Sequence, residues 1–179
     1  MDPLAELVKP GKANDMWIHV VGAFGAAAIL TERGGNWLHC LGNVDSVSID
    51  LHKWLFQPFE IGCVLVKHAN VLKRTFSEEH VYMQDVDSTE GSGETNFSDY
   101  GVQLTRSFRA LKLWMSLKTF GVDQFRDAID HTLELAQSAE KLLRERPHIE
   151  SCTAARMGVV TFRYLPPDAR RLGPHHRDT

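Results

Sequence analysis

Ser46-Val47-Ser48-Ile49-Asp50-Leu51-His52-Lys53-Trp54-Leu55 is the stretch on which the fold turns. From Val44 to Asp50 apolar and polar residues alternate, the period of a β-strand with one face buried. A lysine follows that strand almost at once, with an imidazole before it and an indole after it. An amine at a strand end, walled by apolar groups, has its charged form disfavoured by desolvation, which makes Lys53 a candidate Schiff-base amine. On the residues alone a second reading stays open: a surface lysine whose methylene stem runs past Trp54 while its ammonium stays in water.

Working upstream, Met16-Trp17-Ile18-His19-Val20-Val21 is a short β-prone run ended by Gly22, and it suits a buried parallel strand. Ala23 to Leu30 is small and apolar and reads as a tightly packed helical turn. Residues 1–15 mix Pro3, Pro10, Gly11 and Asn14 with charge and read as an irregular lead-in. Downstream, Gly62 to Lys67 is a further strand and Ala69 to Phe76 a short helix. Residues 80–96 are polar, with Gly91, Ser92 and Gly93 clustered, and are long for an idle connection, as lids, binding loops and disordered segments are. From Ser98 the pattern becomes helical: Leu104, Phe108, Leu111, Trp114, Met115 and Leu117 recur at three and four residue spacing. Gly121 ends that helix, Asp123 opens another through Phe125, Ile129, Leu133, Ala136 and Leu143, and Pro147 stops it. Ile149–Cys152 and Gly158–Tyr164 are strand candidates, and the segment from Pro166 is loop-like and expected to be unstructured. Strands and helices alternate early and then give helix, helix, strand, strand, which reads as α/β followed by the beginning of an α+β unit.

Composition narrows the function classes. The 179 residues can bury a core, and size alone suggests one domain or one and a half. Twenty basic against 23 acidic residues give a net charge of −3, which argues against a nucleic-acid footprint or a polybasic membrane surface. There is no run of 18 apolar residues, and Met1-Asp2-Pro3-Leu4-Ala5-Glu6 does not read as a signal peptide. Cys40, Cys63 and Cys152 are odd in number and lack CxxC spacing, so neither a disulfide framework nor a cysteine zinc site is expected. His39, His68, His80, His131 and His148 are scattered without paired spacing. His19 reads as a pocket or core residue rather than a metal ligand, and no metal site is expected. Neither GxGxxG nor a P-loop occurs. Arg106 and Arg109 read either as a phosphate clamp or as structural ion-pair partners.

Three tracts taken together carry a resemblance. Trp17-Ile18-His19-Val20-Val21-Gly22-Ala23-Phe24-Gly25-Ala26, then Asp50-Leu51-His52-Lys53-Trp54, then Thr105-Arg106-Ser107-Phe108-Arg109-Ala110-Leu111-Lys112-Leu113-Trp114 resemble the group II pyridoxal-phosphate-dependent amino-acid decarboxylases. The similarity runs from about residue 15 to about residue 164. It implies the aspartate-aminotransferase-type fold, fold type I. Residues 1–110 would form the C-terminal part of a large, mostly parallel α/β domain. Residues 111–165 would form a helical linker and the start of the small α+β domain, and residues 166–179 a disordered tail. The chain would then be less than half of an enzyme, with sheet edges and faces left uncovered. It would lack the upstream turn that cradles the cofactor phosphate and the group that stacks on the ring.

The resemblance also implies roles. Lys53 matches the lysine that holds pyridoxal 5'-phosphate covalently, and His52 the histidine beside it near the phosphate. Ala23 and Asp50 fall among the cofactor-contacting positions. Tyr82 matches a tyrosine on a mobile loop that protonates the substrate α-carbon and reaches the neighbouring subunit's site; an ordinary exposed loop aromatic is the other reading of that residue. At Val21 the family carries an aspartate that pairs with the pyridine nitrogen. Valine has no acceptor, and the loss of such a preorganised charge costs on the order of 10²-fold in rate. The implied activity is decarboxylation of an L-amino acid by a cytoplasmic homodimer, impaired in this chain. A non-catalytic fragment or pseudoenzyme, and a related lyase or aldehyde synthase, are the alternatives.

Overall fold

The computed structural model describes residues 2–77 and 95–167. Tyr82, Gly91 and Gly93 lie outside the described residues, as does the tail from residue 168. The central strand is β2 (Ser46–Asp50), with β1 (His19–Val21) parallel on one side and β3 (Gly62–Val66) antiparallel on the other. The register pairs His19 with Ser46 and Val21 with Ser48, then Ser48 with Val64 and Asp50 with Gly62. The sequence placed these strands in a mostly parallel sheet, and β3 departs from that. The link over residues 51–61 contains no helix to return the chain to the far end of the sheet, so it turns back antiparallel.

β1 departs from its expected burial. Among the described residues it pairs only with β2, His19 is exposed, and Val21 is 78% exposed. The lead-in also differs, because residues expected to be irregular form helix α1 (Leu4–Ala13) despite Pro10. Leu4 and Val8 are one turn apart and fall on the same face. Val8 packs with Ala26, Cys40, Val44 and Val47, while Lys12 pairs with Asp45 at 2.6 Å. These tertiary contacts offset the backbone hydrogen bond that proline removes.

The small residues after β1 form a 3₁₀ turn (Gly25–Leu30) that leads into α2 (Glu32–Leu38). Thr31 caps α2, its hydroxyl accepting from the Gly34 N–H at 3.0 Å. α3 (Asn70–Phe76) follows β3, as the sequence reading expected. The long α4 (Ala110–Arg144) starts later than expected: residues 97–100 form a 3₁₀ turn, and Leu104 and Phe108 precede the helix and stay exposed. As the sequence reading expected, Gly121 ends one helical stretch and a second follows: its φ of 77° and ψ of 161° are non-helical, so α4 is two helices joined at a kink, with glycine in a left-handed φ that it adopts without strain. Beyond it Phe125, Ile129, Leu133 and Ala136 are buried, the face read from the sequence.

Strands β4 (Ile149–Arg156) and β5 (Val159–Tyr164) form an antiparallel hairpin. Its two turn residues, Met157 and Gly158, have φ 51° and 72°, the sign required by a two-residue hairpin turn. One buried cluster joins Ala27, Ala28, Leu38, Trp54, Ile129, Leu133 and Met157. The 3₁₀ turn, the lysine loop, the second half of α4 and the hairpin therefore share a core.

Candidate active site

The site is built where β2 ends. The chain folds into a tight loop in which the Lys53 N–H donates to the Asp50 carbonyl at 3.0 Å and the Phe56 N–H to the Lys53 carbonyl at 3.1 Å. The loop is tied back to β2 and its neighbours by the Leu51 N–H to the Ile61 carbonyl and the Gln57 N–H to the Leu51 carbonyl. This turn carries Lys53 back over Asp50, so that Nζ lies 2.6 Å from Oδ2. The hydrogen bond from Lys53 holds the Asp50 carboxyl below the usual carboxylate range. The apolar enclosure expected around Lys53 is not what the structure has. The Lys53 side chain is 42% exposed, and Trp54 points down into the core, 5% exposed, instead of walling the amine. The side chains diverge because a turn, unlike a strand or helix, sends adjacent residues to unrelated surroundings.

Strand alternation sets the rest. His19 and Val21 on β1 share a sheet face with Ser46, Ser48 and Asp50 on β2 and with Gly62 and Val64 on β3. The opposite face carries Val20, Val47 and Ile49 into the core beneath. Asp50 is fixed to the segment after β1 as well, its N–H donating to the Ala23 carbonyl at 3.0 Å. His52 Nδ1 lies 3.1 Å from the Ile61 nitrogen and 2.9 Å from the Ile61 carbonyl oxygen, and the ring meets Phe59 edge-on at 5.0 Å. One ring nitrogen is thus tied to backbone, and Nε2 is left for another partner.

Lys53, His52, Asp50, Ala23 and Val21 therefore gather at the ends of β1 and β2. Val21 presents an isopropyl group on the face that also bears Asp50. Ser46 is a site-face residue not singled out from the sequence. Its hydroxyl accepts from Trp17 Nε1 at 2.9 Å and lies 2.7 Å from His19 Nδ1, which ties both rings to β2. Its signal was the alternation itself, which puts residues 46, 48 and 50 on one side. The two arginines resolve as structural: Arg109 pairs with Glu60 at 2.5 Å, and Arg106 donates to the Phe97 carbonyl at 2.9 Å. Lys112 reaches the Pro58 and Glu60 carbonyls at 2.8 and 2.9 Å, so the first turns of α4 clamp the strand that returns from the lysine loop. A cavity of about 890 Å³ lies beside the site, between α1, β1 and the β4–β5 hairpin, with His19, Val21, Phe24 and Arg156 among its walls. No group of three or more candidate metal ligands occurs among the described residues.

Residues 1–165 match the family model described as the pyridoxal-dependent decarboxylase conserved domain. The chain is 45% identical to an aromatic-L-amino-acid decarboxylase from Bacillus atrophaeus over 93% of its own length and 34% of that protein's. Its fold matches a crystal structure of Oryza sativa TDC with PLP and tryptamine, with a TM-score of 0.82 and 28% identity over 92% of this chain and 33% of that one. It also matches Catharanthus roseus tryptophan decarboxylase in complex with L-tryptophan, with a TM-score of 0.80 and 26% identity over 93% and 33% of the two chains. The chain spans about a third of the length of these relatives.

Proposed function

The chain belongs to the pyridoxal-dependent decarboxylase family and has its fold, that of a fold type I domain in part; from that premise we propose that it carries the lysine-bearing portion of an enzyme that removes the α-carboxyl group of an L-amino acid as carbon dioxide. The observation that carries the reading is the Lys53 amine, held over Asp50 at 2.6 Å where β2 ends. A primary amine in this setting fits the aldehyde of pyridoxal 5'-phosphate, and the His52 ring can hydrogen-bond an anionic phosphate. The fit stops at position 21, where valine offers the pyridine nitrogen no acceptor.

In this reading Lys53 Nζ would hold the cofactor covalently and Asp50 Oδ2 would orient that nitrogen. When bound, pyridoxal phosphate would supply the electron sink for the pair left by the departing carboxylate. His52 Nε2 would be the donor offered to the phosphate, and Ala23 would leave a small side chain beside the ring. The Tyr82 phenol would deliver the proton to the substrate α-carbon. The domain boundary near residue 110, a homodimer and a cytoplasmic location belong to the same proposal. The free thiols of Cys40, Cys63 and Cys152 support the last of these. The names of the similar proteins make aromatic amino acids the first substrate class to test. Val21 favours a second reading, a cofactor-binding chain with little or no turnover.

The chain mixed with pyridoxal phosphate is expected to develop an absorption band that borohydride fixes onto Lys53; no band, or one unchanged in Lys53→Ala, sinks the assignment. Carbon dioxide release is expected to be slow and to rise on the order of 10²-fold in Val21→Asp. Equal rates in the two chains would show that position 21 carries no such role.

A further inference from the structure

Lys53 is presented by a loop whose next residue, Trp54, is anchored in the core, 5% exposed. Trp54 stacks on Phe24 with ring centroids 4.3 Å apart and planes at 29°, and shares a cluster with Ile129 of α4 and Met157 of the hairpin turn. The hairpin comes closest at Gly158, where a Cβ would sit 2.8 Å from Trp54 Cζ2 and 3.6 Å from Cη2. Only a residue without a side chain leaves the indole where it is. Phe24 in turn follows Ala23, whose carbonyl accepts the Asp50 N–H. The indole is therefore wedged between the hairpin turn and the segment that holds Asp50, the partner of Lys53.

We propose that Trp54 is a positioning residue for Lys53, and that the Met157–Gly158 turn sets it by bearing on the indole. The seating of the β4–β5 hairpin then decides whether the Lys53 amine rests on Asp50 or swings free. This deepens the proposed role of Lys53 and rests on it for its functional meaning, but the geometry can be tested without any cofactor.

The test is reductive methylation of the whole chain with formaldehyde, with the labelling rate of Lys53 read by peptide mapping against the exposed Lys9 and Lys118. A Gly158→Ala substitution is expected to raise the Lys53 rate about threefold or more, with the reference lysines unchanged. In a Trp54→Phe background, which lacks the atoms that Cβ would strike, the same substitution should have little effect. That coupling separates the contact from backbone strain at Gly158, which both backgrounds share. Equal Lys53 labelling with and without Gly158→Ala overturns the proposal, and so does an equal increase in both backgrounds. Should Gly158→Ala lose its far-UV helical signal, Trp54→Phe alone must still change Lys53 labelling selectively, and no change overturns the proposal. Absence of the borohydride-fixed band would count against the cofactor reading alone.

Discussion

The two halves of α4 both carry large apolar residues on either side of Gly121, and only the second half buries its stripe. Beyond the glycine, Phe125, Ile129, Leu133 and Ala136 are at most 6% exposed. Before it, Leu111, Trp114, Met115 and Phe120 are 41–62% exposed, although α4 is anchored there through Lys112 and Arg109. The first half is thus held by polar contacts at its N-terminal end and leaves its large side chains in water, while the second half is held by its apolar face. A helical period identifies which side of a helix wants a partner. It carries no information on whether the partner is within these residues.

The largest effect that would break this contrast is at the centre of the covered stripe. Ile129 is fully buried, and Ile129→Ala is expected to cost about 2–5 kcal/mol of unfolding free energy by urea denaturation. A cost near zero would mean that the second half is no better packed than the first.

An intermediate effect is expected at Glu140, on the covered half. It accepts from the Ala155 N–H at 2.7 Å and from Arg144, and these bonds hold its carboxyl below the usual 4.5. A depressed folded-state value means that the stabilisation is present above about pH 4.5 and is lost as pH falls through the lower folded value. The protection of the Ala155 amide, its exchange rate taken relative to the intrinsic rate at each pH, is expected to fall on acidification across that window, and Glu140→Gln should flatten the dependence. Protection that stays constant with pH in the unaltered chain would show that α4 and β4 are not joined through this carboxylate.

The smallest effect is expected on the uncovered half. Trp114→Ser should change the stability of this chain by no more than about 0.5 kcal/mol, because little area leaves a buried environment. A loss comparable to that at Ile129 would show that the exposed stripe is covered in solution, for instance by a second copy of the chain.

Legibility from the sequence followed the range of the interaction. The alternation of residues 44–50 placed β2 and, with it, the side of the sheet that Ser46, Ser48 and Asp50 share. The 3.6-residue period found the buried face of residues 125–136, and glycine marked the break in α4. The three motifs together carried the family. The irregular reading of residues 1–15 failed because Pro10 and Gly11 speak against a helix locally, whereas Val8 and Lys12 gain partners more than thirty residues away. β1 was read as buried because its composition is that of a covered strand, and composition records what a strand prefers to touch, not what lies beside it.

Local periodicity was enough to specify most of the elements, because it depends on neighbours within a few residues, while the family came from three motifs taken together, and the role proposed for Lys53 came with them. The lysine's actual setting was decided by tertiary structure. A turn sent Lys53 out to Asp50 and Trp54 into a core shared with α4 and the hairpin, so the apolar wall expected around the amine became its foundation. Which half of α4 buries its apolar residues was decided in the same way. Burial is a property of what folds against a surface, and those partners come from distant parts of the chain.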